Sequence, residues 1–287
     1  MNTPVIVLLC GSILFGLMWI PLKYFHAQGI GAIPLTFIAY GILTLFFLPI
    51  ILKQLSQWKQ QYHYLLLVLL FGGLANLTFT TAMVYGDVVR AIVLFYLLPA
   101  WGVLAGWFFL GEKINKVRNI AVVLALIGAF LVLGGIRILQ TPPTWIDAIA
   151  LASGFFLAMN NVTFRASHRL PVASKIGAVF IGSFVIAGLI LLFQAFAFPQ
   201  FAFPKIDATN WILLIAFGLT WILIATLCTQ WAVTQLEVGR SSILIIMELI
   251  VAVTSAILLG NESASPNEVI GGLLILFAAI LEGRQKA

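Results

Sequence analysis

The sequence predicts an all-α integral membrane protein of ten transmembrane helices, arranged as two inverted five-helix repeats. Three observations predict it. First, the 287 residues are 62% hydrophobic and only 8% charged, whereas soluble domains carry roughly 25% charged residues. The chain lacks the charges to cover a soluble surface. Second, its apolar residues gather into ten runs near the roughly 20 residues that a helix needs to span the hydrocarbon. Third, one stretch recurs at an offset of 150 residues: Asp87-Val88-Val89-Arg90 returns as Glu237-Val238-Gly239-Arg240, and Gly111-Glu112 as Asn261-Glu262. Ala75 and Ala82 meet Ala225 and Ala232 at the same offset. Each repeat holds five spans, an odd number, so the second copy lies upside down in the bilayer. Inverted repeats of this kind characterise secondary transporters, whose substrate site lies between the halves.

The ten segments are 4–25, 31–52, 62–85, 88–110, 117–138, 145–165, 172–196, 209–234, 239–260 and 267–283. The repeats are 1–141 and 142–287. Pro142-Pro143 separates them, and Thr144 with Asp147 starts the sixth segment. Ser265-Pro266-Asn267-Glu268 starts the tenth, with a serine cap, a proline at the first helical position and a glutamate closing a capping box. Pro99 should kink the fourth segment by removing a backbone hydrogen bond. Gly102 and Gly106 form a GxxxG pair, and Gly72-Gly73, Gly128 and Gly271-Gly272 are further places for helices to approach closely. Cys10 and Cys228 both fall inside apolar segments, where thiols serve as packing groups.

Cytoplasmic loops collect lysine and arginine. With the N-terminus inside, eleven of the 15 fall on the cytoplasmic side, and only Lys23, Arg90, Arg137 and Lys205 fall outside. The expected topology therefore has both termini in the cytoplasm. The net charge of +6 reflects this distribution. No basic cluster is dense enough to track phosphates, so nucleic acid is not an expected partner. Met1 to Thr3 carries no basic side chain, and no cleavage pattern follows the first apolar run, which reads as a retained helix.

Several chemistries lack residues. Among the nine acids the closest two in sequence are six apart, so no paired-carboxylate motif exists to hold Mg²⁺ and diphosphate. His26, His63 and His168 show no metal-ligand spacing. There is no Walker motif and no nucleophile turn. Neither a cofactor nor an enzymatic site is expected. The alternative to a transporter is an integral-membrane enzyme acting on a lipid-linked substrate, which would need a catalytic pair.

Glu248 is the one acid near the middle of a segment. A charge there costs about 2.5–3.5 kcal/mol or more. Ser241, Leu244, Ala252 and Ser255 share its face, a small and partly polar stripe. Two roles fit, a partner for a substrate amine or a proton-carrying carboxylate, beside the bland one of hydrogen-bonded glue. Asn76 and Thr80 share a face of the third segment, and Thr226 and Gln230 take the matching positions of the eighth. Asn160 and Asn161 lie in the sixth, where Asn161 corresponds to Trp19 at an offset of 142. These residues are the candidate lining of a shared cavity, with Trp19, Tyr96 and Trp231 as aromatic walls.

The stretch Leu98-Pro99-Ala100-Trp101, followed by Phe109-Leu110-Gly111-Glu112-Lys113, resembles the fourth helix of the drug/metabolite transporter superfamily, EamA type. The resemblance covers nearly the whole chain. The run Tyr96-Leu97-Leu98-Pro99 is similar to the branch that includes aromatic amino acid exporters. The chain departs from the family at Tyr40, where many members carry arginine, so contacts from that helix do not carry over. The resemblance implies a cell-membrane carrier of small metabolites, frequently an exporter, with an amino acid among the candidate substrates. Proton coupling is open, as is the oligomeric state.

Overall fold

A computed structural model describes residues 3–58, 61–110, 116–133, 135, 143–198, 200–235 and 244–283. Among these every regular element is helical. The first span is broken into α1 (Thr3–Gly16) and α2 (Trp19–Ala27), and α3 (Ala32–Trp58) and α4 (Tyr62–Tyr85) are continuous. The fourth span is α5 (Val88–Phe95) and α6 (Leu98–Leu110), followed by α7 (Lys116–Val132), α8 (Trp145–Ala166) and α9 (Val172–Ala197). The eighth span joins α10 (Ala208–Ala216) to α11 (Leu223–Gln235) through a π-helical stretch, Phe217–Ile222. The ninth ends in α12 (Met247–Leu259), and α13 (Pro266–Gly283) is the tenth. Among the described residues seven helices are long and apolar enough to cross a membrane, and three shorter apolar helices accompany them. The protein is thus an all-α, multi-pass membrane protein. The C-terminal end of the expected fifth segment and the start of the ninth, including Ser241, lie outside the described residues.

The predicted helix starts are built as the sequence suggests. Thr144 accepts from the Asp147 backbone N–H while Asp147 accepts from the Thr144 backbone N–H, a closed capping box. Ser265 and Glu268 do the same for α13. Asp87 caps α5 through the Arg90 N–H. After α12, Asn261 adopts a left-handed φ of 53°. Asparagine tolerates that region better than most residues, which explains how it replaces a helix-ending glycine in the second repeat.

Helices pack mainly across the halves, and the pattern repeats when the halves are exchanged. The third span packs on the sixth (α4 on α8) as the eighth packs on the first (α11 on α1). The fourth packs on the sixth (α5 and α6 on α8) as the ninth packs on the first (α12 on α1). The fourth meets the ninth, and the fifth meets the tenth. Small residues permit the closest approaches. At Gly128 and Gly271 an added methyl would strike the other glycine's carbonyl oxygen, and one at Gly73 would strike the backbone of Gly182. Gly102 is different: among the described residues no atom lies within 4 Å of where its methyl would stand, so Gly102 itself seats no helix. Cys10 and Cys228 are free thiols.

Candidate functional site

Two of the broken helices meet at their breaks. Pro99 has no N–H and its ring clashes with the carbonyl four residues back, so the fourth span opens at Tyr96-Leu97. The ninth is interrupted at Ile246, the counterpart of Tyr96 under the 150-residue offset. The Tyr96 hydroxyl donates to the Ile245 carbonyl oxygen at 3.0 Å, and it also pairs with the carboxyl of Glu248, one turn on. Gly16 lets the first span approach here, since a methyl on it would touch the Glu248 carbonyl oxygen and the Val251 side chain. Two turns further along α12, Ser255 accepts from the Trp19 indole N–H at 2.9 Å.

Beside this crossing lies a cavity between the halves, enclosing about 40 Å³. It holds water-sized guests and is too small for a metabolite. Its wall is Phe15, Met18 and Leu22 of the first span, Thr36, Ala39 and Tyr40 of α3, Asn76, Phe79 and Thr80 of α4, and Phe217 and Ile222 of the π-helical stretch. A π-helical turn widens the local backbone and is common at functional sites. An aromatic layer separates cavity from crossing: Phe79 meets Phe95 edge to face at 5.0 Å, and Phe95 meets Tyr96 at 5.5 Å.

The face where the first span ends is tied shut across the halves. Glu262, between the ninth and tenth spans, accepts from the backbone N–H groups of Val88 and Val89, each at 3.0 Å. It thus caps the N-terminus of α5, where orphan N–H groups and the helix dipole favour an anion. Within the first half, Lys23 donates to the Gly86 carbonyl oxygen at 2.6 Å. Arg90 grips Asp147 with two N–H groups, at 2.6 and 3.0 Å, and lies 3.9 Å from Glu268. Although Asp87 is largely exposed, the desolvation of its carboxyl raises it from its ordinary value, and the neighbouring Glu262 pushes it the same way.

The predicted residues fall into separate places. Glu248, Tyr96 and Trp19 gather at the crossing, and Asn76 and Thr80 line the cavity. Asn160 is buried between α8 and α4, its Oδ1 without a hydrogen-bond partner and facing Gly72. Asn161 is exposed. Thr226 and Gln230 are half-buried on α11, one residue off the Ala225 and Thr229 face that meets Gly11, and they do not border the cavity. Trp231 is exposed at 46%. Sequence reasoning passed over Thr36 and Tyr40 as lining residues. Their spacing of four, the same as that of Asn76 and Thr80, was the available signal.

Interrupted helices crossing between two halves, beside a cavity with a few polar side chains, define the class: a polytopic helical membrane protein. Residues 2–134 match the EamA-like transporter family. That stretch is thus similar to a family of transporters in the drug/metabolite transporter superfamily. A solved chain described only as "Crystal structure of protein" shares its fold, with a TM-score of 0.61 and 15% identity, covering 97% of this chain and 96% of that chain. No curated protein matches the sequence.

Proposed function

We propose that the protein is a secondary transporter. It moves a small metabolite across the cell membrane by alternating access, through the cavity between halves 1–141 and 142–287. Both termini are cytoplasmic and export is the working direction, the latter resting on the family resemblance. The observation that carries the reading is the crossing of the fourth and ninth spans at their breaks, with Tyr96, Ile245 and Glu248 around it. Broken helices at the interface of inverted repeats are where transporters place substrate and coupling-ion sites. Glu248 is the charge-handling group of the cycle in this reading, exchanging Tyr96 for a substrate amine or a proton.

The test is flux by purified protein in liposomes. A carrier shows saturation and counterflow, in which an internal load of unlabelled substrate drives transient accumulation of label. Linear, non-saturating flux without counterflow would indicate a pore and sink the proposal.

A further inference from the structure

The cavity carries more hydrogen-bonding capacity than the protein uses. Tyr40 is only 8% exposed, yet its hydroxyl finds no partner among the described residues. Its ring rests near Phe180, with centroids 6.0 Å apart. Thr80, across the cavity on α4, is also buried with an unpaired hydroxyl. Its neighbours Thr78 and Thr81 instead return their hydroxyls to the helix, donating to Leu74 and Leu77. Asn76 spends one amide N–H on Ser183 at 2.9 Å and leaves its carbonyl oxygen uncommitted. None of the three is sealed from the cavity, and three reachable, uncommitted groups around one space point to a guest that pairs them.

Charge narrows the guest. Among the described residues no lysine, arginine, histidine or acidic residue lines the cavity. A carboxylate or phosphate entering it would lose its hydration and find no counter-charge, which is prohibitive in an apolar interior. The rest of the wall is hydrocarbon and aromatic: Phe15, Leu22, Phe79, Phe217.

We infer that Tyr40, Asn76 and Thr80 form a cradle for an uncharged polar group, such as an amide, carbonyl or hydroxyl, on an otherwise apolar metabolite, and that the cavity rejects carboxylates and phosphates. This rests on the carrier reading and adds the substrate class to it. As the cavity opens, the hydroxyls donate to the guest and the Asn76 carbonyl accepts from it.

The experiment is a thermal-shift and binding screen of the full-length protein in detergent. Its panel consists of matched pairs: amides with their carboxylates, and alcohols with their phosphates. The expected hits are the uncharged members. Tyr40→Phe removes only the hydroxyl and should weaken those hits about tenfold, one hydrogen bond's worth, with thermal stability unchanged or higher. A structural hydroxyl predicts the opposite, lower stability with unchanged binding, and that result would overturn the cradle. So would a strongest hit among the anionic members, or a panel in which no uncharged member binds. The carrier reading fails separately. Saturable flux of an anionic hit would refute the cradle and leave the carrier. Uncharged hits that bind through Tyr40 without saturable flux would refute the carrier and leave the cradle.

Discussion

The Tyr96 hydroxyl and the Ile245 carbonyl oxygen, 3.0 Å apart, join the interruptions of two helices from opposite halves. Pro99 explains the first interruption. No proline lies within the described part of the ninth span, and its opened backbone is held from outside by Tyr96. Tyr96→Phe should therefore leave the Ile245 carbonyl and Glu248 without their shared donor. The expected cost is about 1–3 kcal/mol of stability, read as a lower melting temperature in detergent, together with slower flux. A variant that melts and transports like the parent would show that the break is held by packing alone.

Gly182 makes a different kind of contact. A methyl there would overlap the backbone of Leu69, which belongs to the facing α4. Backbone cannot swing aside as a side-chain end can, so α9 and α4 must separate. Gly182→Ala should cost about 1–3 kcal/mol or more, whereas Gly102→Ala, at a position with open space around it, should leave the melting temperature within error.

The cap on α5 predicts a pH effect. Glu262→Ala removes the acceptor of two backbone N–H groups and should cost about 0.5–2 kcal/mol. Asp87 titrates in the opposite sense to a salt-bridged carboxylate. Its pKa is raised in the folded protein, first by burial and then by Glu262, so its stabilising contribution is complete below the unfolded value and is lost as pH rises through the folded one. Part of the residue stays in solvent, which keeps the effect small. Asp87→Asn preserves a good N-cap while removing the titration. Its melting temperature should fall less than the parent's as pH rises above roughly 4, and should not fall below the parent's at neutral pH. A steeper profile in the variant would contradict this account.

The expected topology is open to direct labelling. Gln57 lies at the end of α3 and Asn261 follows α12, and the expected topology puts them on opposite sides of the membrane. Single cysteines there, in a background lacking Cys10 and Cys228, should react with an impermeant maleimide from the inside at 57 and from the outside at 261. The reverse pattern would turn the protein over in the membrane. Labelling of both from one side would break the ten-span fold itself.

Helices were legible because lipid imposes a length and the chain obeys it. Capping boxes at Thr144 and Ser265 were legible because they are local chemistry. The break at Pro99 was visible, but the one at Ile246 was not, since no residue there disfavours a helix and the tyrosine that bonds the adjacent Ile245 lies 149 positions from it. The site was legible by depth only. Mid-membrane polarity marked Asn76, Thr80 and Glu248, and it equally marked Asn160, which sits between α4 and α8. Depth says nothing about direction around a helix, and a single amide residue shows no period from which to read a face. Glu262 was noticed as an echo of Glu112, yet its partner is backbone, which leaves no trace in side-chain identity.

Glu248 decides the mechanism. It sits at the crossing with Tyr96 as partner, and among the described residues no cation is found to pair with it. Three roles make different predictions for two substitutions. If the carboxyl carries a proton through the cycle, Glu248→Gln should fold normally and lose the pH dependence of flux, because glutamine keeps the size and hydrogen bonding but cannot ionise. If it meets a substrate amine, the same change should weaken cationic and zwitterionic substrates by about tenfold or more, the worth of a charge-assisted hydrogen bond, and spare neutral ones. If it only ties the ninth span to the fourth, Glu248→Gln should transport as the parent does while Glu248→Leu lowers the melting temperature, having left the Tyr96 hydroxyl with one acceptor fewer. Uptake measured against pH for both variants separates the three. Unchanged flux with an unchanged pH profile in the glutamine variant would remove Glu248 from the transport cycle and leave the cavity on the other side of Phe79 and Phe95 as the whole of the substrate site.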